Sequence, residues 1–203
     1  MLALPVLILA AGRSSRMRGA DKLLEPVHGG KPLLLDRIEA ALGTGQPVLV
    51  TLPPRDERPD RWALIDELPV AAIEVSNAAD GLSASVSAGV DALPEMAVAV
   101  MLVLADMPDL TSEDMRRVMA DFDGETILRG ATADGVAGHP VIFPARDFPA
   151  LRSLDGDRGA QILLRENRDR VRPVTLPYSH ARTDLDTPED WEAWRNRREE
   201  ART

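Results

Sequence analysis

Residues 98–104 read Val-Ala-Val-Met-Leu-Val-Leu, without one polar side chain, and residues 4–9, Leu-Pro-Val-Leu-Ile-Leu, are nearly as apolar. A short β-prone run that is apolar on both faces must be covered on both faces, which is the position of a central strand in a parallel sheet. What lies around the two runs agrees. Residues 32–42 place Leu34, Leu35, Ile38, Ala41 and Leu42 at helical spacing, and Gly43 and Gly45 stop the pattern. Residues 47–52 read as a second strand closed by Pro53 and Pro54, 62–68 as a short helix and 70–75 as a third strand. Gly81 introduces a helix over 82–93. Thr111 or Ser112 caps another over 112–122, with Glu113 and Asp114 in its first turn. Residues 126–129 and 140–143 read as strands, 158–167 as a helix, 171–176 as a strand, and 188 onward as a charged helix with Trp191 and Trp194 on one side. Strands alternating with helices predict a single-domain, doubly wound α/β fold, with a mostly parallel sheet and helices on both faces. No linker divides the 203 residues, so one domain is expected over 1–203 with its core in 4–195.

In such sheets a ligand sits beyond the carboxyl ends of the strands. That singles out the segments after Leu9, Val75 and Leu104. After Leu9 come Ala10, Ala11 and Gly12, then Arg13, Ser14, Ser15, Arg16, Arg18 and Lys22. Small residues let a ligand approach the backbone, whose N–H groups can bind phosphate or base edges. Arg16 offers a planar fork for phosphate oxygens and Lys22 a point charge. The pattern is neither a Walker loop nor the dinucleotide fingerprint, and a solvated basic loop would have the same composition. After Val75, residues 77–87 hold Asn77, Gly81, Ser83 and Ser85, suited to base or ribose recognition or to helix capping. After Leu104 comes Asp106, a carboxylate placed to hold Mg²⁺, followed by Met107 and Pro108. Asp184 and Asp186 alternate in an extended stretch and could add metal ligands, although Thr187, Pro188, Glu189 and Asp190 also make an ordinary helix start.

The charge of −9 argues against a nucleic-acid partner. The absence of cysteine excludes disulfides, zinc–thiolate sites and a thiol nucleophile, and fits a cytoplasmic protein. The first apolar run lacks a basic leader and is too short to span a bilayer, so a buried strand is expected rather than a signal peptide or membrane anchor. His28, His139 and His180 have no metal-ligand spacing.

The string Leu9-Ala10-Ala11-Gly12-Arg13-Ser14-Ser15-Arg16-Met17, continued by Lys22-Leu23-Leu24, resembles the signature of the sugar- and cofactor-nucleotidyltransferases, whose fold is nucleotide-diphospho-sugar transferase-like. Asp106-Met107-Pro108 looks like their metal-binding strand end. With Gly138-His139-Pro140, the stretch Asp155-Gly156-Asp157-Arg158-Gly159-Ala160, and Asp184-Leu185-Asp186-Thr187-Pro188, the chain resembles the molybdenum-cofactor nucleotidyltransferases, most closely the cytidylyltransferase branch. The resemblance implies transfer of CMP from CTP to the phosphate of a molybdopterin-type cofactor, with Mg²⁺ and release of pyrophosphate. It implies that Leu9, Ala10, Ala11, Gly12, Arg13, Ser14, Asn77, Gly81, Ser83 and Ser85 surround the nucleotide. Arg16 and Lys22 would hold its phosphates, Asp106 the metal with Asp184 or Asp186, and His139, Asp157 and Arg158 would face the acceptor. Small-molecule substrates are the implied partners, with transient contact to a molybdoenzyme or its chaperone. Ala10-Ala11 favours CTP, whereas Met107 matches the guanylyltransferases. A GTP-using enzyme, a cytidylyltransferase for another phosphorylated acceptor, and a non-catalytic cofactor-binding accessory protein stay open as alternatives.

Overall fold

In the computed structural model, which describes residues 3–156 and 159–200, the first apolar run becomes strand β1 (Val6–Leu9) at the middle of a seven-stranded sheet. β1 pairs in parallel with β2 (Val48–Leu52) on one side and β4 (Ala99–Leu104) on the other, with Val6 opposite both Val48 and Met101. β3 (Ala71–Glu74) extends the sheet beyond β2. Beyond β4 lie β6 (Ala137–Pro144), β5 (Ile127–Ala131) and β7 (Val171–Thr175), giving the order β3-β2-β1-β4-β6-β5-β7. β6 is antiparallel to both neighbours and β7 is parallel to β5, so β6 alone among the described strands runs against the rest. The expected mostly parallel α/β sheet is therefore present.

Each face of the sheet has its own core. On one face α1 (Leu33–Leu42), α2 (Pro59–Ala63), α4 (Ser112–Ala120) and α7 (Pro188–Glu200) bury Leu34, Ile38, Trp62, Met115, Val118, Trp191 and Trp194 against Val6, Ile8, Met101 and Val103. On the other, α3 (Leu82–Asp91), α5 (Phe148–Arg152) and α6 (Gln161–Glu166) bury Val86, Val90, Phe148, Leu151 and Leu163 against Leu7, Leu9, Val100 and Leu102. Alternate residues of β1 and β4 thus serve opposite cores, as the pleat requires. α4 starts at Thr111, whose hydroxyl accepts the Asp114 N–H while the Asp114 carboxylate accepts the Thr111 N–H.

Several elements differ from the sequence expectation. α2 starts at Pro59, where proline suits a first helical turn, rather than at Trp62. α5 is an element that the sequence pattern did not mark, and it contains Pro149. The proline is accommodated in the first turn, and Phe148 and Leu151 are drawn into the second core. α6 is shorter than the expected helix, whose residue 158 lies outside the described residues. No helix among the described residues is long and apolar enough to cross a membrane.

Candidate active site

The strand order reverses between β1 and β4, and a crevice opens there beyond their carboxyl ends. The three segments singled out from the sequence meet in it. Leu9, Ala10, Ala11, Gly12 and Arg13 follow β1, Ala78, Ala79, Gly81, Leu82 and Ser85 lie where β3 leads into α3, and Leu104, Ala105 and Asp106 end β4. With Lys22 and Leu23 they enclose a cavity of about 300 Å³, the lower end of the size range for small-molecule sites. Backbone bonds fix its floor: the Ala10 N–H donates to the Thr51 carbonyl (3.0 Å) and the Ala105 N–H to the Leu9 carbonyl (3.3 Å). Asn77 and Ser83 stand outside this lining. The Asn77 amide donates to Asp80 at 3.1 Å, and the Ser83 hydroxyl is buried without a partner among the described residues.

The loop from Ala10 to Lys22 is held by a residue that the sequence reading passed over. Arg61, on α2, is completely buried. Its Nε and one Nη donate to the two Asp21 oxygens, both at 2.7 Å. Its other Nη donates to the carbonyls of Ala10 (2.6 Å) and Gly12 (2.8 Å), and a fifth bond reaches the Ser14 hydroxyl at 3.1 Å. Asp21 also accepts from the Ser14 hydroxyl and the Leu23 N–H. Burial by itself would raise the Asp21 pKa, but the Arg61 charge and hydrogen bond outweigh it and keep the carboxyl below its ordinary value. Within this frame Ser14 and Arg18 adopt left-handed backbone, with φ of 54° and 53°. Ser14 is thus engaged inside the loop. Nothing in the local pattern marks Arg61, since an arginine beside an aromatic on a short helix is commonplace. Only the fold brings it beneath the loop.

At the mouth of the cavity Lys22 Nζ donates to Asp106 Oδ2 at 2.5 Å and to Asp186 Oδ1 at 2.7 Å, while Arg16 pairs with Asp186 Oδ2 at 2.8 Å. The side chains of Lys22, Asp106 and Asp186 are 13%, 17% and 19% exposed, against 67% for Arg16. After the edge strand β7 the chain returns to the crevice, and the Leu185 N–H donates to the Asp106 carbonyl at 3.1 Å. Burial would lower the Lys22 pKa, but the two carboxylates raise it on balance. Asp184 joins the cluster electrostatically: burial, then Asp106, then Asp186 raise its pKa. Asp106 Oδ1 is buried without a hydrogen-bond partner among the described residues, an acceptor open to a cation. Hard divalent ions take such oxygen donors, so the aspartate chemistry fits a metal. Among the described residues no three acidic, histidine or cysteine side chains are preassembled around one point. A metal here would complete its shell with ligand oxygens and water.

Because β6 is antiparallel, its start rather than its end reaches this edge, and it brings His139 there. Burial pushes the His139 imidazole down to about 4, against a weaker raising effect from Asp106, so the ring is uncharged at neutral pH. The sign of the pH dependence follows. Between pH 6.5 and 4 the unfolded chain takes up a proton at this position that the folded chain refuses, so stability falls as pH falls through that window. The loss amounts to about 3 kcal/mol once the pH is below 4. Urea titrations at pH 7 and pH 4.5 should show His139→Gln losing less stability than the parent over that interval; equal losses would contradict this role. Asp157 and Arg158, expected to face the acceptor, lie outside the described residues.

The profile of the MobA-like NTP transferase domain matches residues 6–171. The chain is 28% identical over 206 residues to the purine catabolism protein PucB of Bacillus subtilis, covering 91% of this chain and 92% of that one. It is 31% identical over 135 residues to the bifunctional protein GlmU of Kineococcus radiotolerans, covering 64% of this chain but only 27% of that protein, so it spans about a quarter of that relative's length. Among solved structures, Rv0371c of Mycobacterium tuberculosis superposes with a TM-score of 0.82 at 26% identity, over 96% of this chain and 98% of that one. The same protein in complex with manganese gives 0.78 at 23% identity, over 94% of this chain and 97% of that one.

Proposed function

The chain belongs to the MobA-like NTP transferase family, and from that premise we propose that it transfers CMP from CTP to the terminal phosphate of a molybdopterin-type cofactor, releasing pyrophosphate. The observation that carries the reading is the Lys22 ammonium set between Asp106 and Asp186 at the mouth of a cavity walled by small residues. Joining two phosphates needs in-line positioning and cations on the developing charge, and little covalent help. Lys22 and Arg16 supply mobile positive charge, since either can exchange its carboxylate partner for a phosphate oxygen. Asp106, with Asp184 or Asp186, would hold Mg²⁺, which would offset charge on the phosphates and orient them. The Ala10, Ala11 and Gly12 backbone would read the base, with Gly81 and Ser85 opposite. Neutral His139 would stand on the acceptor side without adding charge at pH 7, and transient docking to a molybdoenzyme or its chaperone would follow release.

CTP is preferred over GTP on one structural ground. Met107, the residue that favoured GTP, is buried in the first core and does not line the cavity. The test is pyrophosphate release from CTP and from GTP, with and without Mg²⁺ and a molybdopterin-type acceptor. Release from CTP alone, dependent on both metal and acceptor, is expected. Equal turnover with GTP would sink the base assignment, and nucleotide binding without pyrophosphate would favour an accessory role. A thermal-shift panel gives a second reading, because a nucleotide at a hundredfold its Kd stabilises by about 2.7 kcal/mol.

Gly12→Ala separates ligand approach from folding. A Cβ added at Gly12 meets no protein atom within 4 Å, and the backbone there is not left-handed. Thermal stability should therefore stay within about 0.5 kcal/mol of the parent, while CTP affinity falls tenfold or more. Unchanged affinity in a titration would remove the Gly12 backbone from the nucleotide contact.

A further inference from the structure

Beyond β4, on the side of the crevice away from the proposed nucleotide cavity, two arginines stand close together. Arg129 lies on β5 two residues beyond Ile127, and His139 lies on β6 two residues before Val141. Arg129 pairs with Val141, which belongs to the second core, so the pleat puts Arg129 on that face of the sheet; His139 stands in the stretch of β6 where the pairing with β5 shifts register. Arg129 Nε donates to the Gly138 carbonyl at 3.0 Å. Arg182 converges on the same point from the returning segment. A Cβ built on Gly138 would lie 1.8 Å from the Ala181 carbonyl oxygen and 2.8 Å from Arg182 Cγ, so only glycine lets the two backbones come this close. The His139 N–H closes the contact by donating to the Ala181 carbonyl at 2.8 Å. His139 in turn lies within the electrostatic reach of both Arg129 and Asp106.

Neither arginine forms an ion pair among the described residues. Arg129 is partly buried, and desolvation together with the neighbouring Arg182 opposes its charge. Asp134 feels the Arg182 charge and accepts the Thr132 hydroxyl, but it forms no ion pair with Arg182 among the described residues. Two like charges held together, one of them half-desolvated, are unfavourable unless an anion comes between them. Arg182 also borders a cavity of about 480 Å³ with Thr132, Asp134, Val136, Tyr178 and Ser179, and Tyr178 leaves most of its ring exposed there.

We propose that Arg129 and Arg182 form the subsite for the phosphomonoester of the acceptor, holding its dianion within reach of Asp106 while the body of the acceptor lies toward Tyr178. The proposal rests on the nucleotidyltransferase reading and names the acceptor class for that site: a small molecule ending in a phosphomonoester. The guanidinium pair suits that group because each fork can take two phosphate oxygens.

The experiment uses phenyl phosphate as the probe, titrated calorimetrically into the full chain preloaded with CTP and Mg²⁺, so that the nucleotide cavity is filled. Binding should weaken at least tenfold in Arg129→Gln/Arg182→Gln, at least threefold in Arg182→Gln alone, and recover in part in Arg182→Lys. Arg182 is exposed, so its variants keep the test readable if Arg129→Gln fails to fold. CTP affinity should not change in any of them. Phenyl phosphate binding equal to the parent's in the Arg182→Gln chain would overturn the subsite. So would a loss of CTP affinity with the probe unaffected, because the pair would then belong to the nucleotide. The probe contains no pterin, so failure of the molybdopterin assignment would leave this result standing; if the chain takes GTP in place of CTP, GTP fills the cavity in the same titration, and failure of the arginine subsite would leave the nucleotide reading untouched.

Discussion

Lys22→Ala should lower kcat/KM at least a hundredfold while the chain still folds. The ammonium is mostly buried, and it bridges Asp106 and Asp186, 84 and 164 residues away in sequence. In the proposed reaction it exchanges one of these carboxylates for a phosphate oxygen as charge develops. Loss of a preorganised donor of this type costs roughly 3–4 kcal/mol of transition-state stabilisation, or two to three orders of magnitude in rate. The same deletion leaves two carboxylates facing each other with Arg16 as the nearest remaining cation. A divalent ion would then no longer compete with Lys22. Magnesium binding without nucleotide, followed by calorimetry, should therefore tighten in Lys22→Ala although catalysis falls. Weaker metal binding would show that Lys22 helps assemble the metal site instead of occupying part of it. Full activity in both Lys22→Ala and Asp106→Ala would remove the site altogether.

Arg61→Ala should be the most destabilising single change at this edge of the sheet, at about 3–5 kcal/mol, the usual cost of leaving a buried ion pair without one partner. Arg61 uses all five of its N–H donors on Asp21, Ala10, Gly12 and Ser14. Arg61→Lys should not rescue it, because an ammonium has three donors and cannot follow a planar fork. In chemical denaturation the lysine chain should sit nearer Arg61→Ala than the parent. Where the variant stays folded, the KM for nucleotide should rise more than kcat falls, since the loop is displaced but Lys22 and the aspartates are still present. A lysine variant matching the parent in both stability and KM would show that charge alone, not the fork, holds the loop.

How far the sequence could be read followed from whether a residue's role depends on its neighbours in the chain. β1 and β4 were legible because a run apolar on both faces has few other places to go, and their carboxyl ends pointed to Ala10–Gly12 and to Asp106. The start of α4 was legible because its capping box closes within four residues. The direction of β6 was not, because eight residues of strand carry no mark of whether a partner runs parallel or antiparallel. That direction decides that His139 reaches the crevice. Arg61, Arg129 and Arg182 were passed over for the same reason: each is one arginine among many until the fold sets it under a loop or beside a like charge. Asp186 was legible as a carboxylate, but its grip on Lys22 and Arg16 was not.

The bond from Lys22 to Asp186 also has a consequence in time. A growing chain emerges from its amino end, so the loop, β1 and β4 can assemble long before residue 186 leaves the ribosome. Until then Lys22 has only Asp106 to hold. Synthesis must pass Asp186 before the charge cluster is whole, and α7, which follows directly, brings Trp191 and Trp194 to the first core at the same stage.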